Sequence, residues 1–316
     1  MMETEKPLAP REAFGKTLTE IARKNERIVA LDADLASSTK MNLFREELPE
    51  RFLEIGIAEQ NMLDIAAGLA LMNMIPFCGS FAAFISRRAC DQIAVEIGHT
   101  GMNVKMVGAY GGLTNGNNGA THQATEDIAI MRTIPNITVI EPADDLEMST
   151  AVAEIVKHQG PVYLRCTRDV WPRVSPAGYR FQIGKAVKIR NGEDISLIAC
   201  GMMVSQCVSA AEILDKEGIK AEVINVATIK PLDIETIIDS VTKTKAAVTA
   251  ENHSVIGGLG SAVAEALGET YPAPMGRIGL QDTYGECGDN QGLLRKYHMD
   301  PTAIVMKAKQ VLARKK

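Results

Sequence analysis

Short apolar runs that alternate with stretches of helical period constrain this chain more than any other feature. Ile28 to Leu31, Phe52-Leu53, Ile75 to Gly79, Val104 to Val107, Thr138 to Ile140 and Val162 to Arg165 read as strands. Glu12 to Lys24, Phe84 to Ile97 and Asp144 to Lys157 read as helices among them. Another helix starts directly after Glu59, because Met62, Ile65, Ala66, Leu69 and Ala70 fall at i, i+3, i+4, i+7 and i+8. Such an alternation predicts α/β architecture with a mostly parallel sheet flanked by helices. Periodicity stops at Thr167 to Gly184, where Trp171-Pro172, Pro176 and Gly178 intervene. A second alternating unit then follows: strands at Ile195 to Ala199, Ala221 to Val226 and Ala246 to Ala250, and helices at Ser205 to Lys216, Ile234 to Ser240 and up to Leu267. At 316 residues the chain suits two domains, each able to bury its own core. The expected boundaries are 1–166 and 185–316, with 167–184 as linker.

Composition narrows the function classes. The chain is 46% apolar and 23% charged, with a net charge of −5, which offers neither a nucleic-acid surface nor a polybasic membrane patch. The start, Met1-Met2-Glu3-Thr4-Glu5-Lys6, is polar where a signal peptide is basic and then apolar, and no long unbroken apolar window follows. A cytoplasmic protein is expected. Cys78, Cys90, Cys166, Cys200, Cys207 and Cys287 form no Cys-x-x-Cys pair and suit free thiols better than disulfides or a metal site. Gly257-Gly258-Leu259-Gly260 lacks the spacing of a dinucleotide fingerprint, and tight packing of a helix start accounts for it.

Three features in the first domain can carry chemistry. Glu59 closes the acidic turn Glu54-Ile55-Gly56-Ile57-Ala58-Glu59 at a helix N-terminus, where burial raises a carboxyl pKa and the helix dipole lowers it. Phe81 and Phe84 follow a strand end and offer a stacking platform in a chain with only 4% aromatic residues, although core packing is the commoner use of such phenylalanines. Tyr110 to Thr125 has four glycines, three asparagines and His122 but no helical period; a loop of that length in an α/β domain is usually functional. All three should lie at the carboxyl ends of parallel strands, where ligands bind in open sheets. His122 alone is as consistent with a structural hydrogen bond as with catalysis.

Gly56, Glu59 and Met62, then Phe81 and Phe84, Gly119-Ala120-Thr121-His122-Gln123, Ile134-Pro135-Asn136 and Pro142-Ala143-Asp144 resemble, in that order, the pyrimidine-binding domain of the transketolase family. Leu232-Asp233, Ala250-Glu251-Asn252-His253 and Gly257-Gly258-Leu259-Gly260 resemble the family's C-terminal domain, so the resemblance spans nearly the whole chain. It implies thiamine diphosphate chemistry. Glu59 would hydrogen-bond the cofactor's aminopyrimidine and favour its imino form. Phe81 and Phe84 would flank that ring, Asp34 would lie near the cofactor, and His122 would face the donor sugar. Arg11, Ser38 and Arg168 match positions that hold a substrate phosphate, a role suited to guanidinium groups. Tyr110 and Asn118 stand where typical transketolases carry His and Asp, Arg87 where a Tyr is common, and Gln60 where a His is frequent. Loss of the negative charge at Asn118 suggests a modified or deoxy ketose phosphate as donor.

The family's diphosphate-binding domain, with its Gly-Asp-Gly motif and Mg²⁺ site, has no counterpart in the sequence. The resemblance therefore implies the C-terminal half of a split transketolase. No metal ligands are expected on this chain; an N-terminal partner subunit would bring the metal site, in an α2β2 assembly acting on sugar phosphates. A deoxyxylulose phosphate synthase-like subunit and a 2-oxo acid dehydrogenase beta-like subunit share the fold. A non-catalytic scaffold subunit is the reading from a different class, and joint retention of Glu59, His122, Phe81 and Phe84 argues against it.

Overall fold

The computed structural model describes residues 6–315. Met1 to Glu5, part of the polar start read above, and Lys316 lie outside them. The first half supplies strands β1 (Ile28–Asp32), β2 (Phe52–Glu54), β3 (Ile75–Phe81), β4 (Lys105–Ala109), β5 (Thr138–Ile140) and β6 (Val162–Cys166). The second supplies β7 (Val187–Arg190), β8 (Ile195–Ala199), β9 (Ala221–Asn225), β10 (Thr228–Lys230), β11 (Ala247–Ser254) and β12 (Met275–Leu280). They form a seven-stranded sheet in the order β10-β5-β6-β4-β3-β1-β2 and a five-stranded sheet in the order β12-β11-β8-β9-β7. All pairings in the first sheet are parallel except β10 with β5, and all in the second except β7 with β9. β1, β3, β4 and β6 are buried at every position, as strands covered by helices on both faces must be. This is the α/β architecture the alternation predicts, and no regular element occupies the stretch between β6 and β7.

Three details differ from the sequence reading. The helix expected from Phe84 begins earlier, as Ala82–Arg88, breaks at Ala89 and continues through a turn into a π-helical stretch, Ile93–His99. Ile93 and Ile97 are both fully buried there. The helix that starts at Glu59 buries Met62, Leu63, Ala66 and Ala67, so its core face is rotated by about a residue from the predicted stripe. β10, from the second half of the chain, crosses to the first sheet and pairs antiparallel with β5. Lys230 secures it by donating from Nζ to the Arg132 and Ile134 carbonyls.

A buried polar cluster joins the two sheets. Arg165 on β6 is wholly buried; its guanidinium donates to Asp127 at 2.8 and 3.0 Å and to Glu141 at 2.6 Å. It also donates to the carbonyls of Ala124 (2.7 Å) and Asn252 (3.1 Å), the second of which lies on β11. Tyr163 Oη donates to Asp127 at 2.6 Å and Cys200 Sγ to Glu141 at 3.1 Å. Burial pushes the Asp127 carboxyl up most strongly, but the Arg165 charge, the neighbouring His253 and the hydrogen bonds from Arg165 and Tyr163 together outweigh it and hold the group below the usual carboxylate range.

Candidate active site at the strand ends

Because six strands of the first sheet run parallel, their carboxyl ends share one edge. The register aligns Asp32 with Gly79, Phe81 with Ala109 and Ala109 with Cys166. Asp34 and Ser38 follow β1, Phe84 follows β3, Tyr110 follows β4 and Arg168 follows β6. The edge is thus where these predicted residues gather.

Aromatic rings form a shelf there. Phe81 ends β3 in extended conformation and caps the helix that carries Phe84 less than one turn further. The two ring centroids lie 5.5 Å apart. Tyr110 stacks on Phe81 at 4.5 Å, and His122 meets both phenylalanines edge-on, at 6.0 Å from Phe81 and 5.1 Å from Phe84. Tyr110 sits at φ 61°, a left-handed conformation costly for an aromatic residue. Close packing maintains it: a Cβ on the following Gly111 would lie 2.4 Å from Arg165 Nε. His122 Nδ1 pairs with Thr121 Oγ1 at 2.9 Å, while Nε2 has no hydrogen-bond partner among the described residues.

Glu59 is the first residue of its helix and is buried. Ser80 Oγ donates to its Oε1 at 3.2 Å, and Arg88 Nη1 donates to both oxygens at 2.9 and 3.1 Å. Arg88 also lies over the Phe84 ring, 4.0 Å from its centroid, so one side chain links the carboxylate to the shelf. Glu59 and Arg88 open onto a cleft of about 820 Å³, lined also by Ile57, Gln60, Asp64 and Gln92. Arg88 does not stand out in the sequence. Its signal is the basic pair Arg87-Arg88 one turn after Phe84, but only folded geometry tells which of the two turns toward Glu59. Arg87 pairs instead with Glu126.

A cationic group flanks the other side of the shelf. Arg11 Nη1 donates to Tyr110 Oη at 2.6 Å and to the Ser38 carbonyl at 3.1 Å; its Nε donates to the Arg168 carbonyl at 3.1 Å. The guanidinium carbons of Arg11 and Arg168 lie 5.1 and 5.4 Å from the Tyr110 ring centroid. Ser38 therefore contributes its backbone to this group. Asn118 is exposed on the loop, its backbone N–H bonded to the Asn115 carbonyl. Asp34 is exposed at φ 61°, and its N–H donates to Glu54 at 2.8 Å. Behind this edge lies a group the sequence reading missed, Asp32. Burial pushes its carboxyl up to about 7, against hydrogen bonds from Thr39 Oγ1 (2.7 Å) and Leu35 N–H (2.6 Å).

A flat heteroaromatic ring with a basic nitrogen fits what is present: apolar ring faces at Phe81 and Phe84, and a buried carboxylate within reach of the same arginine. Among the described residues no group of three or more His, Cys, Asp or Glu could hold a metal ion. The Gly257-Gly258-Leu259-Gly260 turn is occupied from within, since Glu251 accepts from the Leu259 and Gly260 N–H groups at 2.7 and 2.8 Å. Cys78, Cys90, Cys166, Cys200, Cys207 and Cys287 are all free thiols. No helix among the described residues is long and apolar enough to cross a membrane.

Fold and site together define a two-domain α/β chain that presents a buried carboxylate beside an aromatic shelf at the carboxyl edge of a parallel sheet. Residues 6–173 match the transketolase pyrimidine-binding domain and residues 184–304 the transketolase C-terminal domain. The chain belongs to the transketolase family. It is 47% identical over 305 residues to the 6-deoxy-6-sulfo-D-fructose transketolase subunit of a Clostridium species, covering 96% of this chain and 95% of that one. It is 36% identical to an apulose-4-phosphate transketolase subunit of Phocaeicola vulgatus, covering 94% and 95%. A solved split-gene transketolase, described as an inactive beta4 tetramer, superposes with a TM-score of 0.91 at 42% identity, over 98% of this chain and all of that one.

Proposed function

We propose that the chain is the pyrimidine-binding subunit of a thiamine diphosphate-dependent transketolase, which moves a two-carbon ketol unit from a ketose donor to an aldose phosphate acceptor. The observation that carries this reading is the contact path from Glu59 through Arg88 to Phe84 and on to His122. The cofactor, when bound, supplies the electron sink for breaking a carbon–carbon bond beside a ketose carbonyl. Glu59, buried beside the cleft, would share a proton with the pyrimidine nitrogen, and Arg88, bonded to both carboxylate oxygens, would orient it. Phe81 and Phe84 would flank the ring. His122 offers its unpaired Nε2 to the donor's hydroxyls. Arg11 and Arg168, with Tyr110 and the Ser38 backbone, receive the anionic end of the sugar. Asp34 stands on the cofactor side of β1. The diphosphate and Mg²⁺ are held by an N-terminal partner subunit, and two copies of each chain make an α2β2 assembly.

Donor choice follows from the loop. Asn118 brings no charge where a carboxylate would read a donor hydroxyl, and the relative at 47% identity is a transketolase subunit for 6-deoxy-6-sulfo-D-fructose. The donor is accordingly an anionic ketose with a deoxy or otherwise modified carbon rather than xylulose 5-phosphate. The decisive experiment is co-expression with a diphosphate-binding subunit, then calorimetry with thiamine diphosphate and Mg²⁺ on the lone chain and on the pair, followed by ketol-transfer assays. Binding by the pair alone, and turnover falling about 100-fold or more in Glu59→Gln, is the expected result. Unchanged turnover in Glu59→Gln would remove the proposed role, and a pair without any turnover would favour the scaffold reading.

A further inference from the structure

The loop that carries Asn118 and His122 belongs to the first sheet, yet much of what fixes it comes from the second. Asn252, wholly buried on β11, accepts at Oδ1 from the Leu113 N–H at 2.9 Å. Its Nδ2 donates to Thr114 Oγ1 at 3.0 Å and to the Gly111 carbonyl at 3.4 Å. The approach is close enough to require glycine: Gly112 sits at φ +77°, and a Cβ there would lie 2.3 Å from Asn252 Cγ. Beyond this anchor, Asn290 Oδ1 accepts from Gly116 N–H at 3.1 Å, and Gly288 N–H donates to the Gly116 carbonyl at 3.1 Å. Gln123 Nε2 donates to the carbonyls of Leu113 (2.9 Å) and Glu286 (3.0 Å), and Ser254 N–H donates to the Thr125 carbonyl at 2.7 Å. Between these ties, Asn115 Nδ2 donates to the His122 carbonyl at 3.0 Å. A continuous path therefore runs from Asn252 through Leu113, Thr114 and Asn115 to His122.

We propose that Asn252 is a positioning residue for donor binding, one that fixes from the second domain the loop presenting Asn118 and His122. The proposal rests on the reading that this loop meets the donor. It accounts for the Ala250-Glu251-Asn252-His253 run, in which Glu251 caps a helix start and Asn252 turns the other way to hold the loop. Removing one partner of a buried hydrogen bond costs about 1–3 kcal/mol, which corresponds to roughly 5- to 150-fold in the population of the ordered loop.

The test uses the assembled pair, with Asn252→Ala and the near-isosteric Thr114→Val, which removes the hydroxyl that accepts from Asn252 Nδ2, so that a folding failure of the first leaves the second to decide. Hydrogen exchange of residues 111–123 should quicken at least about fivefold in either variant, while β3 and the helix Glu59–Leu71 keep their protection. Donor KM should rise by about tenfold or more, with thiamine diphosphate affinity and acceptor KM within about twofold of wild type. Unchanged exchange in the loop overturns the proposal, and so does a loosened loop with an unchanged donor KM. Absence of ketol transfer in the wild-type pair counts against the functional reading, and the exchange data still decide whether Asn252 holds the loop.

Discussion

Arg165→Met tests the junction most directly, because it removes the cation from a cluster that water does not reach. Methionine fills similar volume, so the change is electrostatic more than steric. Asp127 keeps only Tyr163 and Glu141 only Cys200 among the side-chain donors described, while the Ala124 and Asn252 carbonyls lose the Arg165 donor. Breaking a buried pair by deleting one partner costs about 3–5 kcal/mol, a large part of the roughly 5–15 kcal/mol that holds a domain folded. The pH dependence is diagnostic. In the wild type Asp127 is held below the usual carboxylate range, so its stabilisation is full above about pH 4 and fades as pH falls through that lowered value. In the variant the same carboxyl is desolvated without a cation, so its penalty grows as pH rises above about 4. The deficit should therefore be near 4 kcal/mol, on this order-of-magnitude scale, at pH 7.5 and clearly smaller at about pH 5. Urea unfolding followed by the fluorescence of Trp171, the chain's single tryptophan, and by far-UV circular dichroism measures it. A two-domain chain can unfold in more than one step, so each signal's midpoint and slope are compared separately. A deficit under about 1 kcal/mol, or one equal at both pH values, would refute the assignment of Arg165 as the charge that offsets these carboxylates.

Asp32→Asn should flatten the pH profile in the opposite sense. With its folded value raised to about 7, Asp32 favours the native state while protonated, and stability is lost as pH rises from about 4 through 7. Urea midpoints should then favour the Asn variant at pH 8 and nearly coincide at pH 4, whereas parallel profiles would contradict the raised carboxyl. Arg88→Ala should cost less stability than Arg165→Met, since 45% of the Arg88 side chain is exposed although it leaves the buried Glu59 without its cation. It should nevertheless lower turnover of the pair by about tenfold, with partial recovery in Arg88→Lys; unchanged turnover would make the contact with Glu59 incidental. Asn118→Asp should raise kcat/KM for xylulose 5-phosphate relative to deoxy or sulfonated ketoses, and an unaltered ratio would show that this position does not read the donor.

What was legible in the sequence was whatever a local pattern encodes. Buried parallel strands have no polar alternation, so the runs at Ile28, Ile75, Val104, Val162, Ile195 and Ala221 stand out. The signals missed were weaker or not local. β7 is an edge strand with half-buried and exposed positions, and β12 is interrupted by Gly276 and Gly279. The helix Pro301–Leu312 carries a local signal, Asp300 as N-cap before a proline. At the site, Glu59, Phe81, Phe84 and His122 were identifiable by residue type beside strand ends. Arg88 was not, and Asn252 stood out only within the Ala250-Glu251-Asn252-His253 run and not by its contact, because a salt bridge across 29 positions and a hydrogen bond across 139 leave no spacing to recognise.

The site divides its labour by rigidity. Glu59 begins a helix, Phe81 ends a strand, and Phe84 lies on the helix that follows; these are positions that packing fixes before any ligand arrives. The residues that differ from the usual family pattern include Tyr110 and Asn118 on the loop and Gln60 and Arg87 on exposed or flanking positions. Asn118 is exposed on the loop, whereas Tyr110 stacks on Phe81 at 4.5 Å, so a change at Tyr110 also reaches the shelf. On the proposed reading, cofactor geometry would belong to the sheet edge and donor choice to a loop anchored elsewhere, which would let one scaffold serve relatives described as transketolase subunits for 6-deoxy-6-sulfo-D-fructose and for apulose 4-phosphate. Ile57, 74% exposed, lines the Glu59 cleft. On the proposed reading, such an apolar side chain beside a buried carboxylate would be covered by the partner subunit.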